Sequence, residues 1–199
     1  MKIILVGANG DIGRIACAAL GARHDIITVG RSSGDITVDI SDLSAVRDMY
    51  AHAGPVDAVV CCAGEVTFAP LDTFTQDSFV LGLHQKVMGQ VNLVLAGQDV
   101  LPDGGAFTLT SGVLDRDPIR SGTGAATANA ALAGFVTGAS IELVRGLRIN
   151  VVSPGLLEVS KNRYGAWFPG HRPVAADDVA RAYIKCVEGA LTGQVVIVA

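Results

Sequence analysis

Apolar runs and helical periods alternate along the whole chain. Seven segments read as strands: KIILVG (2–7), DIITVG (25–30), DITVD (35–39), VDAVVCCA (56–63), GAFTLTS (105–111), LRINVVS (147–153) and QVVIVA (194–199). Several are continuously apolar rather than alternating, as expected of strands buried on both faces of a parallel sheet. Between them lie five stretches with helical spacing, at about 11–22, 42–53, 76–98, 122–145 and 176–189. In the second, Leu43, Val46, Met49 and Tyr50 share one face, with charges opposite. In the third, Phe79, Leu83, Val87, Val91 and Leu95 form an i, i+4 row. With right-handed crossovers, this alternation predicts a doubly wound α/β parallel sheet in the Rossmann order, with one extra strand at the end. No linker, repeat or low-complexity stretch interrupts it, so a single domain is expected over 1–199.

Composition narrows the class. Of the 199 residues, 50% are hydrophobic and 17% charged, which excludes disorder and allows a sizeable core. A net charge of −4 gives no electrostatic case for nucleic acid or an anionic membrane. The opening MKIILVGANGDIG meets Gly and Asp too early to read as a signal peptide. The uncharged stretch SGTGAATANAALAGFVTGAS (121–140) is 11 parts in 20 Gly or Ala. It is long enough for a membrane span, but its five hydroxyls, one Asn and four Gly make it too polar. Cys17, Cys61, Cys62 and Cys186 form no CxxC, and the four histidines show no ligand spacing. Reduced thiols in a cytoplasmic protein without a metal site are therefore expected.

Chemistry enters at VGANGDIG, between the first strand and the first helix. Gly7, Gly10 and Gly13 are spaced to permit a tight turn, close approach to a pyrophosphate and close helix packing, with free helix N–H groups facing the anion. Gly7, Asn9, Gly10, Asp11, Ile12 and Gly13 are the candidate phosphate-binding set. The second strand ends in Gly30-Arg31-Ser32-Ser33, where an NAD enzyme would carry an acidic residue for the ribose. A guanidinium and hydroxyls suit a 2′-phosphate, so NADP is favoured over NAD.

With these motifs the chain resembles the short-chain dehydrogenase/reductase family over nearly its whole length. GANGDIG is similar to the family's glycine motif, and VDISD (38–42) to its D-x-x-D, which implies Asp39 and Ile40 at the adenine. CCAG (61–64) stands where the family has NNAG, implying Cys62, Ala63 and Gly64 along the cofactor. FTLTSG resembles the strand delivering the catalytic serine, here Ser111. RINVVSPG resembles the segment whose Pro154-Gly155 turn lies beside the nicotinamide. The resemblance implies NADPH-dependent hydride transfer on a small-molecule carbonyl or alcohol. It also implies a homo-oligomer formed through the helices near 76–98 and 122–145.

The departures concern the catalytic pair. The family's Tyr and Lys, four residues apart, align with ATANAAL, placing Ala125 at the Tyr and Asn129 at the Lys. Neither side chain titrates. In KVMG, Lys86 stands where the family's preceding helix has Asn. This suggests a reciprocal exchange, with Lys86 reaching the cofactor ribose and Asn129 lining the site from the next helix. Ser111 and Lys86 are therefore the candidate catalytic residues. His84, or Tyr164 in the aromatic segment KNRYGAWFPGHRP (161–173), offers a further proton group. The alternative is a protein that binds NADP(H) as a sensor or interaction module without turnover.

Overall fold

A computed structural model describes residues Met1–Ala199. One seven-stranded sheet has the order β3-β2-β1-β4-β5-β6-β7, and every pairing is parallel. The strands are β1 (Lys2–Val6), β2 (Asp25–Gly30), β3 (Ile36–Thr37), β4 (Ala58–Cys61), β5 (Ala106–Thr110), β6 (Arg148–Pro154) and β7 (Val195–Val198). The helices are α1 (Asp11–Gly21), α2 (Leu43–Ala53), α3 (Gln76–Gly82), α4 (Gly89–Gly97), α5 (Thr123–Glu142), the short α6 (Lys161–Tyr164) and α7 (Ala176–Glu188). This is the doubly wound Rossmann arrangement with a seventh strand at its edge. No helix is long and apolar enough to cross a membrane.

The strand alternation divides the core. Ile4, Val6, Val59, Cys61, Phe107, Leu109, Ile149 and Val151 point to one face, beside residues of α2, α4 and α5. Ile3, Leu5, Ala58, Val60, Ala106 and Val152 point to the other, beside residues of α1 and α7. The period of two explains why runs such as AVVC are apolar throughout: both faces are covered. Cys61 and Cys62 serve opposite faces as small core residues, and burial pushes their thiols up to about 12 and about 11.

Two local readings are corrected. The expected strand at 35–39 pairs only at Ile36–Thr37, because Asp35 turns back and accepts hydrogen bonds from the Thr28 N–H and hydroxyl at 2.8 and 2.7 Å. The row from Phe79 to Leu95 is also broken. Leu83–Met88 form a π-turn between α3 and α4, which takes an extra residue and rotates Leu95 out to 44% exposure.

α4 is buried around most of its circumference, including two amides. Gln90 is fully buried and grips the end of β5, donating to the Thr110 carbonyl at 2.9 Å and accepting from the Thr110 N–H at 2.8 Å. Asn92 donates to the carbonyls of Ile40 and Ser41 at 3.0 and 3.1 Å. One helix thereby fixes both the strand end before Ser111 and the loop carrying Asp39.

α5, the bare helix, buries Ala125, Ala128, Asn129, Leu132 and Val136. Its small residues allow close approach: a Cβ on Gly124 would lie 2.8 Å from the Phe74 ring. On the far side, side chains at Gly134 and Gly138 would meet nothing within 4 Å.

Candidate functional site

The order of the sheet reverses between β1 and β4, and a crevice opens outside their carboxyl ends, where such folds bind ligands. Gly7 has φ +82°, and a Cβ there would lie 2.9 Å from the Ala63 nitrogen. A Cβ on Gly13 would collide with the Gly7 carbonyl oxygen, so α1 can approach the turn only without one. Gly10 begins α1, and no side chain caps its first turn, leaving free N–H groups at the positive end of the helix.

A cleft of about 360 Å³ runs on from this turn. It gathers Gly7, Arg31, Ser32, Asp39, Ile40, Ala63 and Gly64 from four separate stretches, all candidates from the sequence. Gly7, Asn9, Gly10 and Arg31 line an adjoining cavity of about 180 Å³, where Asn9 donates to Ser33 Oγ at 2.8 Å. Asp39 is exposed, and hydrogen bonds from the Ser41 hydroxyl and N–H hold its carboxyl below the usual range. Asp42, the second acid of D-x-x-D, caps α2 by accepting from Ser44 N at 2.8 Å. Sequence reading missed Glu65 and Gln85, which face Arg31 across the cleft at 3.5 and 2.5 Å.

Other candidates stand differently. The Cys62 N–H extends the β1–β4 pairing to Val6 O at 2.8 Å, and its side chain packs in the α1–α7 core. Ile12 packs against the same core. The Gly155 N–H donates to Val198 O at 2.7 Å, while the Pro154 carbonyl lies beside Gly112, just after Ser111. The Asp11 carboxylate accepts from Ser160 Oγ at 2.6 Å and from Arg163 at 3.3 Å. It ties the segment after β6 to the glycine turn, and those contacts, led by Ser160, lower its pKa.

Deeper in the crevice, three elements meet. Lys86, in the π-turn, runs its side chain over Gly64, where a Cβ would lie 2.5 Å from Lys86 Cγ. Its ammonium donates to Asn129 Oδ1 at 2.7 Å and to the Ser111 carbonyl at 3.2 Å. Lys86 and Asn129, from two different helical segments, are thus direct partners. Desolvation pushes the Lys86 pKa down to about 8, opposed by the weaker pull of Cys61 and Asp115. The Ser111 residue is 5% exposed, and its Oγ is buried with no hydrogen-bond partner. Ala125 is buried beside Asn129 on α5 and carries no polar group.

Asp115 was not foreseen. It ends the short turn Val113–Asp115, and its side chain is 6% exposed. One oxygen accepts from Arg116 at 2.7 Å, and the other is buried without a partner. No spacing motif marks it; its depth follows from the tight turn after β5. His84 and Tyr164 do not join this group. His84 is exposed, its Nδ1 3.5 Å from the Gln85 amide nitrogen, while the Tyr164 hydroxyl accepts from Arg163 at 3.3 Å.

Comparison with known proteins places this geometry in context. A family model described as enoyl-(acyl carrier protein) reductase matches residues 2–198. The fold matches the protein lin1944 from Listeria innocua with a TM-score of 0.98 and 45% identity, over 100% of both chains. A small-chain dehydrogenase matches with a TM-score of 0.85 and 25% identity, covering 100% of this chain and 95% of that one. A small-chain dehydrogenase in complex with NADPH matches with a TM-score of 0.87 and 24% identity, covering 100% and 96%. No curated protein matches the chain.

Proposed function

The chain belongs to the short-chain dehydrogenase/reductase family, and from that membership we propose an NADP(H)-dependent oxidoreductase acting on a small carbonyl or alcohol. The uncapped start of α1 and the glycine cradle fit a pyrophosphate, and the cleft beyond fits an adenosine moiety. Gly7, Asn9, Gly10, Asp11, Ile12 and Gly13 would hold the pyrophosphate, Asp11 through its backbone. Arg31 and Ser32 would take the 2′-phosphate, with Asp39 and Ile40 at the adenine. Cys62, Ala63 and Gly64 would line the cofactor's path, and Pro154 and Gly155 the nicotinamide end. The absence of an acidic residue at Arg31, and the solved relative that holds NADPH, support NADP over NAD. When bound, the cofactor supplies hydride chemistry.

The observation that carries the reading is the Lys86–Asn129–Ser111 contact. An ammonium has three N–H donors, and Lys86 uses two on Asn129 and the Ser111 carbonyl. The third is free for the cofactor ribose or a substrate oxygen. The Ser111 Oγ has no partner and is the candidate donor to a substrate carbonyl, a role that requires its burial to be relieved when substrate enters. Lys86, with a pKa of about 8, can carry a proton near neutral pH. Asn129 orients Lys86 and leaves the proton to it.

A second reading, an NADP(H)-binding sensor without turnover, is favoured by Ala125, which offers no acid at the family's tyrosine position. NADPH consumption over a panel of aldehydes, ketones and quinones separates the two. The enzyme reading expects turnover that Ser111→Ala reduces at least tenfold. Tight NADPH binding with no turnover, unaffected by Ser111→Ala, would establish the sensor. We further propose a cytoplasmic homo-oligomer, its isologous interface formed by the open Gly134–Gly138 side of α5 and the exposed Leu95 of α4.

A further inference from the structure

A second cleft, of about 600 Å³, is walled by residues near 68–70, 117–121 and 166–171. Its volume lies within the ~300–1,000 Å³ usual for small-ligand sites. Ser121 turns the middle wall into α5 through a left-handed conformation, φ 62°. The outer wall is aromatic: the Trp167 ring stands 6.4 Å from Phe68 and 6.2 Å from Tyr164, yet remains 57% exposed. Open aromatic surface of this kind favours a flat apolar group.

The polar groups of the cleft are unequally engaged. Asp117 and His171 meet at 3.3 Å. Arg116, next to the cleft, is already engaged by Asp115 and by Ser153 Oγ. Arg120 lines the cleft with neither an acidic partner nor a hydrogen bond from its guanidinium. Its five donors are therefore open at the rim of an apolar wall.

We propose that this cleft takes an aromatic or similarly flat carbonyl compound bearing a carboxylate, its ring against Trp167 and its acid on Arg120. The guanidinium matches a carboxylate in shape as well as charge. The carbonyl rests on the oxidoreductase reading above; the acid and the ring rest on this cleft alone.

Trp167 is the chain's one tryptophan, so its fluorescence reports occupancy without turnover. The test titrates 4-carboxybenzaldehyde and benzaldehyde into the protein with and without NADP⁺, corrected against free tryptophan. The carboxylate compound should half-saturate the signal at a concentration at least fivefold lower. Arg120→Gln should erase that preference and leave the benzaldehyde curve in place. Equal half-saturation in the wild type, a preference that survives Arg120→Gln, or no response to either compound would overturn the proposal. Failure of NADP⁺ to bind would instead count against the cofactor reading, and the titration without NADP⁺ would still read the cleft.

Discussion

A lysine ammonium held by two neutral oxygens keeps its charge against the cost of desolvation. For Lys86 that cost outweighs the hydrogen bonds to Asn129 and Ser111, and its pKa falls to about 8 from an ordinary 10.5. Between those values the unfolded chain binds a proton that the folded chain has released. The Lys86 penalty is therefore full below about pH 8 and is relieved as pH rises towards 10.5. Wild type should gain unfolding free energy relative to Lys86→Met over that window, as read by urea denaturation at pH 7.5 and 9.5. A constant difference would contradict the burial argument. If Lys86 donates as the ammonium, as proposed, carbonyl reduction should fall as pH rises through about 8. At residue scale the glycine turn and Arg31 beside it were legible from local spacing, and Lys86 and Asn129 were singled out only through the family resemblance; the structure sets these two in contact. It did not show Asp115 or the Arg31–Glu65–Gln85 bridge, which depend on where distant turns meet.

At the scale of elements, α4 is a buried support for the site. Its two amides replace backbone pairing where β5 and the Asp39 loop end. Gln90→Met keeps the volume and removes both partners of Thr110, leaving a buried N–H and C=O unpaired. The expected loss is about 2–3 kcal/mol in chemical denaturation; a loss below about 0.5 kcal/mol would mean that the pairing carries no weight. Seven strands and five helical stretches were readable from periodicity, one of those stretches proving to be α3 and α4, since burial on both faces writes continuous apolar runs in the strands. The π-turn was not, because an extra residue per turn leaves composition unchanged while rotating everything after it. That rotation sets Lys86 over Gly64 and turns Leu95 outward.

At the scale of the whole molecule, the parallel order brings β1, β4, β5 and β6 together with their carboxyl ends on one side. The glycine turn, Ser111 and the Pro154-Gly155 turn share that edge because each directly follows or ends one of these strands. Asp11 then links the segment after β6 back to α1 through Ser160 and Arg163. The strand order was legible, since right-handed crossovers leave few alternatives. The linkage was not, since it joins residues about 150 positions apart in the chain. The central claim is the proposal that Lys86, between α3 and α4, faces the cofactor ribose. Calorimetric titration of NADPH into wild type and Lys86→Met at pH 7, with folding checked by circular dichroism, tests it most directly. The account predicts saturable binding to wild type, weakened at least tenfold in Lys86→Met; equal affinity in two equally folded proteins would contradict it.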